Sequence, residues 1–186
     1  MARADTAPPG DGPPLGYAIR PHRPDDDPAL LGIENRAAQL FRQHGYPEIA
    51  DNPFASVADF RAMAKGHEVW VATTAGGEPA GYAVAGPLGS FLHLRELSVD
   101  PVHGRKGLGA ALVRRVVQAS AARGLEGVSL TTFRAVPFNQ PFYETLGFSE
   151  LPLDSAPPAL REAFLRELPE DVAPAARVLM VRATDG

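Results

Sequence analysis

The sequence contains no cysteine. That excludes disulfides and thiolate zinc sites. Its five histidines are scattered, with no HExxH or other metal-ligand spacing, so no metal is expected. No apolar run approaches the roughly 20 residues of a membrane span. The N-terminus also lacks the apolar core of a secretory signal. A cytoplasmic protein without a membrane partner is the expectation. Aromatic residues make up only 8%, with Trp70 the single tryptophan. Acid is absent from one long stretch: Pro101 to Leu125 contains none, while Arg105, Lys106, Arg114, Arg115 and Arg123 all fall there. The chain as a whole is acidic, with a net charge of −4, which argues against nucleic acid as a partner.

What is present is an ordinary globular balance, 45% hydrophobic and 22% charged over 186 residues, which suits one core. Residues 1–15, rich in Pro, Gly and Ala, read as a disordered tail. Residues 16–186 read as a single domain without internal repeats. "YAIRP" is a first strand. The stretch from the Asp25–Asp27 run to Gly45 reads as one helix with Leu30, Ile33, Ala37, Leu40 and Phe41 at helical spacing. "SVADFRAMAKG" is a shorter helix with Ser56 as its cap and Gly66 as its stop. "EVWVATT", "AGYAVAG" and "SFLHLRELSV" form an antiparallel meander. Leu108, Leu112, Val116 and Ala119 mark the buried face of a long helix, whose crossover suits parallel pairing of the next strand, "GVSLTTF". A short helix from Asn139, a strand "FSEL", a helix "PALREAFLREL" and a last strand "ARVLMVRA" complete the chain.

The segment "HGRKGLGAAL" raises a physical question, because glycine costs roughly 1 kcal/mol against alanine inside a helix. A helix N-terminus has unpaired N–H groups that favour anions, and glycine lets an anion approach bare backbone. A strand ending in "SVDP", a turn carrying Arg105 and Lys106, and a helix opening on "GLG" therefore fit a phosphate or pyrophosphate site. Two other phosphate loops are excluded. No Gly-Lys-Ser/Thr follows the glycines, and Leu112 stands where a dinucleotide fingerprint needs its third glycine.

"ELSVDPVHGRKGLGAAL" resembles the acyl-CoA-binding motif of the GNAT superfamily of N-acetyltransferases, in which [Gln/Arg]-x-x-Gly-x-[Gly/Ala] follows a strand ending in Val-x-Pro. Gly107, Leu108 and Gly109 match its second half, while Gly104 stands where Gln or Arg is usual. "NQPFYETLGF" is similar to the family's second cofactor motif, with Tyr143 four residues before Gly147-Phe148. The family's Asn position is held by Val136, and Asn139 lies four residues before the Tyr. The resemblance spans about residues 17–183. It implies an α/β (α+β) fold of the GNAT type, with a mixed, mostly antiparallel sheet of about seven strands flanked by about four helices.

It implies further that acetyl-CoA is the acyl donor. The pyrophosphate would lie on Gly104, Arg105, Lys106, Gly107, Leu108, Gly109 and Ala110, with Asn139 and Tyr143 also at the cofactor. Backbone groups of Leu97, Ser98 and Val99 would face the pantetheine and thioester. Tyr143 becomes the general acid for the departing sulfur, although a tyrosine at this spacing is also an ordinary core residue. His93, Glu96 and a water relay remain alternatives for the base. In a regular strand 93 and 96 face opposite sides unless a bulge intervenes. The first two helices, carrying Glu34, Phe41, His44, Tyr46 and Glu48, would cover the acceptor, and Arg134 is a candidate for a substrate carboxylate. The function implied is acetyl transfer to a primary amine of a small molecule, peptide or protein; the competing reading is a coenzyme A sensor without turnover. Members of this family often form homodimers, and nothing in these residues decides the assembly.

Overall fold

The computed structural model describes residues 12–52 and 54–184. Residues 1–11 of the expected tail lie outside the described residues. Residues 12–15 lead into the first strand, where the Tyr17 N–H donates to the Pro14 carbonyl.

Seven strands form one sheet: β1 (Tyr17–Pro21), β2 (Glu68–Thr74), β3 (Pro79–Leu88), β4 (Phe91–Val99), β5 (Gly127–Phe133), β6 (Ser149–Glu150) and β7 (Arg177–Ala183). Their spatial order is β1-β2-β3-β4-β5-β7-β6. All pairs are antiparallel except β4 with β5. The exception has a local cause: a helix separates those two strands in sequence, and a crossover connection of that length brings the chain back parallel.

Six helices flank the sheet among the described residues: α1 (Asp27–Ala38), α2 (Pro47–Asp51), α3 (Val57–Ala64), α4 (Leu108–Ala121), α5 (Gln140–Glu144) and α6 (Pro158–Arg166). The resemblance implies about four; the sequence itself spells five helical segments, and the first of these is not continuous, which gives six. Beyond Ala38 the chain tightens into a 3₁₀ stretch over Gln39–His44, ends on Gly45 in the left-handed region, and restarts at Pro47 as α2. The change of period has a visible consequence. Leu30 and Ile33 are fully buried, whereas Leu40, predicted on the same face, is 40% exposed. Ser56 caps α3 as its sequence suggests, its hydroxyl accepting the Asp59 N–H at 3.2 Å.

The sheet has a core on each side. Leu108, Leu112, Val116 and Ala119 of α4 pack with Trp70, Ala83, Leu92, Leu94, Val128, Leu130, Val178 and Met180 on one face. Leu112 is completely buried, so its truncation to alanine should cost about 2–5 kcal/mol. On the opposite face α1 and α3 lay Leu30, Ile33 and Phe60 over Val71, Tyr82 and Val84. α6 continues that layer with Leu160 and Phe164 against Leu179. Among the described residues no helix is long and apolar enough to cross a membrane.

Candidate active site

The glycine turn opens α4. Gly107 is its N-cap in the left-handed region (φ +84°), and Arg105 is the one non-glycine residue with positive φ among those described (φ +57°). The first helical bond runs from the Ala111 N–H to the Gly107 carbonyl. The N–H groups of residues 105–110 consequently find no backbone acceptor among the described residues, while Arg105 and Lys106 extend into solvent beside them. Gly107 sits in a conformation that costs other residues energy. A Cβ on Gly109 would meet the Phe142 ring at 3.4 Å, an ordinary contact, and a larger side chain would extend into the space above the turn. Lys106 is held over the loop by Tyr17, whose hydroxyl also bonds His103 Nδ1 at 2.9 Å.

β4 and β5 pair only over Phe91–Leu94 and Gly127–Leu130. Beyond that point β5 continues against β7, while β4 follows β3. The two strands therefore splay, leaving one edge of β4 without a strand partner. The Asp100 N–H bonds the Ala80 carbonyl. In an antiparallel ladder alternate residues face the same neighbour, so Ser98 also turns its backbone to β3. Leu97 and Val99 turn theirs into the gap. The Leu97 N–H there is taken by Glu96 Oε1 at 3.1 Å.

The β3–β4 register slips between Val84, opposite Glu96, and Ala85, opposite Leu94, so Arg95 is the extra residue of a β-bulge. Without it Glu96 would point into the α4 core. With it His93, Glu96 and Ser98 lie on the face covered by α1. Glu34 of α1 meets them: it accepts from the Tyr82 hydroxyl at 2.8 Å and the Ser98 hydroxyl at 2.5 Å, and that hydroxyl lies 3.5 Å from Glu96 Oε1. Burial, followed by the charge of Glu34, raises the Glu96 carboxyl from 4.5 to about 8. Tyr82 in turn is driven well above its ordinary value by burial and by the same two carboxylates.

His93 occupies a different position from Glu96. Its ring is 5% exposed, and both nitrogens are engaged, Nδ1 with Ser129 Oγ at 2.9 Å and Nε2 with Glu167 Oε1 at 3.1 Å. Glu167 also accepts from Thr131 Oγ1 at 2.7 Å. Burial pushes its carboxyl upward, but the bonds from His93 and Thr131 and the charge of Arg95 outweigh that and hold it below the usual range. Thr131 then accepts from Arg177 Nη2 at 2.8 Å, and the Arg177 guanidinium lies 4.6 Å from the centre of the Phe133 ring. Glu167 and Arg177 were not anticipated from sequence. Arg177 carried a signal, because it shares its strand face with Leu179 and Val181, and a cation on an apolar face is unusual.

Tyr143 is 7% exposed, and its hydroxyl has no side-chain partner among the described residues. Burial, then the charge of Glu96, raises it above its ordinary value, with Arg177 opposing. Its ring belongs to the α4-side core, while the charges acting on it are those of Glu96 and Arg177, on the opposite face. The Tyr-to-Gly-Phe spacing has a structural cause. Gly147 ends α5 in the left-handed region, with the Phe148 N–H on the Tyr143 carbonyl and the Gly147 N–H on the Glu144 carbonyl, a Schellman cap. Phe148 then packs on the Tyr143 ring at 5.6 Å between centres. Asn139 sits at the N-cap of α5 but makes no side-chain cap bond.

The other sequence candidates separate. Phe41 and Tyr46 stack on Phe133, at 5.4 and 4.3 Å between ring centres, and His44 meets Phe138. Arg134, expected at a substrate carboxylate, is instead bound by both nitrogens to Glu150 on the surface, at 2.7 and 2.8 Å. Trp70 is core. Among the described residues no group of three His, Cys, Asp or Glu is arranged to hold a metal ion.

Comparison with known proteins gives the family of the chain. Residues 33–148 match the family described as Acetyltransferase (GNAT) family. The chain belongs to the GNAT acetyltransferase family. The seven-stranded sheet is that of solved relatives. The ribosomal-protein-S18-alanine N-acetyltransferase of Escherichia coli superposes with a TM-score of 0.65 at 21% identity, over 91% of this chain and 95% of the other. The paiA N-acetyltransferase of Thermoplasma acidophilum, solved in complex with coenzyme A, gives 0.66 at 15% identity over 91% and 99%. A GNAT-family acetyltransferase of Staphylococcus aureus gives 0.66 at 15% identity over the same shares. This GNAT protein is thus an acyltransferase, and its family uses acetyl-CoA.

Proposed function

We propose that the protein transfers an acetyl group from acetyl-CoA to a primary amine by direct attack on the thioester. Glu96 takes the proton from the amine, and Tyr143 gives one to the sulfur. The observation that carries this reading is the convergence on one gap of three features. These are the unpaired N–H groups of residues 105–110, the open edge of β4 at Leu97 and Val99, and the Glu96 carboxyl raised to about 8. The first suits a pyrophosphate and the second an extended amide chain. The third is a base matched to neutral solution.

In this scheme the amine nitrogen forms a bond to the acetyl carbon while the carbon–sulfur bond breaks. The proton leaving nitrogen passes to Glu96, and the Tyr143 hydroxyl proton passes to sulfur. Glu96 is favoured over His93 because both His93 nitrogens are already bonded, Nε2 to a carboxylate. His93 holds Glu167 instead. A hydroxyl without a side-chain partner, as at Tyr143, is available to a leaving group.

Tyr143→Phe tests the reading, since it removes the proton and leaves the ring packing intact. Turnover should fall by about 10²–10⁴, while calorimetric affinity for acetyl-CoA stays within about threefold of wild type. Unchanged turnover would remove Tyr143 from the mechanism. Failure to bind acetyl-CoA would remove the transferase scheme itself.

A further inference from the structure

The geometry points to Arg177 as the anchor for a carboxylate on the acceptor. We infer that the acceptor is a small amino-acid-type molecule carrying its amine and its carboxylate together. The inference rests on the acetyl-transfer reading above and deepens it.

Arg177 opens β7, directly across from Phe133, and points to the face that holds Glu96, His93 and Thr131. Burial lowers its basicity, and the charges of Glu167, Glu96, Tyr143 and Tyr46 oppose that effect. Yet its only hydrogen bond among the described residues is the one to Thr131 Oγ1, and no described carboxylate lies within 4.0 Å. The contrast with other arginines is plain. Arg20 grips Asp26, Arg36 grips Asp100, and Arg61 grips Asp27, all within 2.7 Å. A guanidinium has five donors in a fork that matches a carboxylate, so most of the Arg177 donors remain open.

A balancing role for Glu167 does not account for this. Glu167 commits its oxygens to His93 and Thr131; its charge offsets part of the burial of Arg177, but its hydrogen-bonded link to that guanidinium runs through the Thr131 hydroxyl and fills none of the remaining donors. The open donors instead share the gap with the proposed base. An acceptor with its amine at Glu96 and its carboxylate at Arg177 would satisfy both. Phe41, Tyr46, Phe133 and Phe138 form the wall beside Arg177, so the side chain of such an acceptor would be apolar. A lysine side chain of a protein has no carboxylate near its amine. It would leave the half-buried guanidinium without a carboxylate on its open donors, a less favourable arrangement.

The test pairs free phenylalanine, leucine and methionine with their carboxamides, following thiol release from acetyl-CoA. Rates are compared per neutral amine, since amidation alters amine basicity. The free acids should exceed their amides by at least about tenfold in kcat/KM, because a site built for a polar group rejects the analogue lacking it. In Arg177→Met that ratio should fall to about one, and in Arg177→Lys part of it should remain. Any change that Arg177 imposes on Glu96 affects both members of a pair and cancels in the ratio. Equal rates for acids and amides in the wild type would overturn the inference, and that comparison needs no variant to fold. A ratio unaltered in Arg177→Met would also overturn it, as would a protein that binds acetyl-CoA and acetylates none of the acids. A protein that does not bind acetyl-CoA would bring down the transferase reading first and this inference with it.

Discussion

Replacing Glu34 by glutamine should move the acid limb of the activity profile to lower pH. Glu34 and Glu96 share the Ser98 hydroxyl at 2.5 and 3.5 Å, so the oxygens on either side of it are at most about 6 Å apart. Two unit charges at that distance interact by about 2.8 kcal/mol at an effective dielectric of about 20, and half that at twice the dielectric, or roughly one to two pKa units. Burial, the larger cause of the raised Glu96 value, is unchanged by the substitution. Glu167, Arg177, Tyr82 and Tyr143, the other titratable groups near Glu96, also stay in place. Glutamine can still accept from Tyr82 and Ser98. The Glu96 value should therefore fall from about 8 to between about 6 and 7.

The measurement is kcat/KM against pH for both enzymes with one acceptor amine. Ionisation of the amine is common to both and cancels in their ratio. Relative to pH 9.5, the variant should gain roughly fivefold to tenfold at pH 7, because a larger share of Glu96 is then unprotonated. A ratio flat across that range, with the variant folded, would refute either the coupling of the two carboxylates or the role of Glu96 as base. Carbon NMR titration of the Glu96 carboxyl separates the two, since it reads the proton without turnover.

Glu96 also leaves a signature on stability. Its folded value lies above its unfolded one, so the native state binds more protons and stability falls as pH rises between about 4.5 and about 8. Glu96→Gln should flatten that slope and gain stability at pH 8, read from denaturant midpoints; an unchanged slope would contradict the raised carboxyl. Gly109→Val should weaken acetyl-CoA binding at least about tenfold in calorimetry, since its Cβ comes within 3.4 Å of Phe142 and its methyls fill the space beyond. Full affinity in a folded Gly109→Val protein would move the pyrophosphate away from this turn.

The parts of the site legible in sequence are those whose causes are local. The turn before α4 caps the helix with left-handed backbone at residue 107, a place that favours glycine. Tyr143, Gly147 and Phe148 keep their spacing because a Schellman cap fixes it. α4 displayed its buried face as a clean 3.6-residue period, and the crossover length implied the parallel β4–β5 pair. The first helix misled because its apolar spacing runs on through residues that the backbone winds as 3₁₀.

Sequence by itself thus determined the family of folds, the position of the glycine turn before α4 and the placing of Tyr143 in α5, because residues within a few positions of one another fix those features. Only the tertiary structure decided which charged groups act together. The Arg95 bulge turns Glu96 onto the face of Glu34, α6 brings Glu167 to His93, and β7, inserted between β5 and β6, carries Arg177 to Thr131 of β5. Arg134, the cation nearest that gap in sequence, is drawn away by Glu150. Side chains dozens of residues apart meet only through strand order and register, and one extra residue in β4 reverses which face a carboxylate sees.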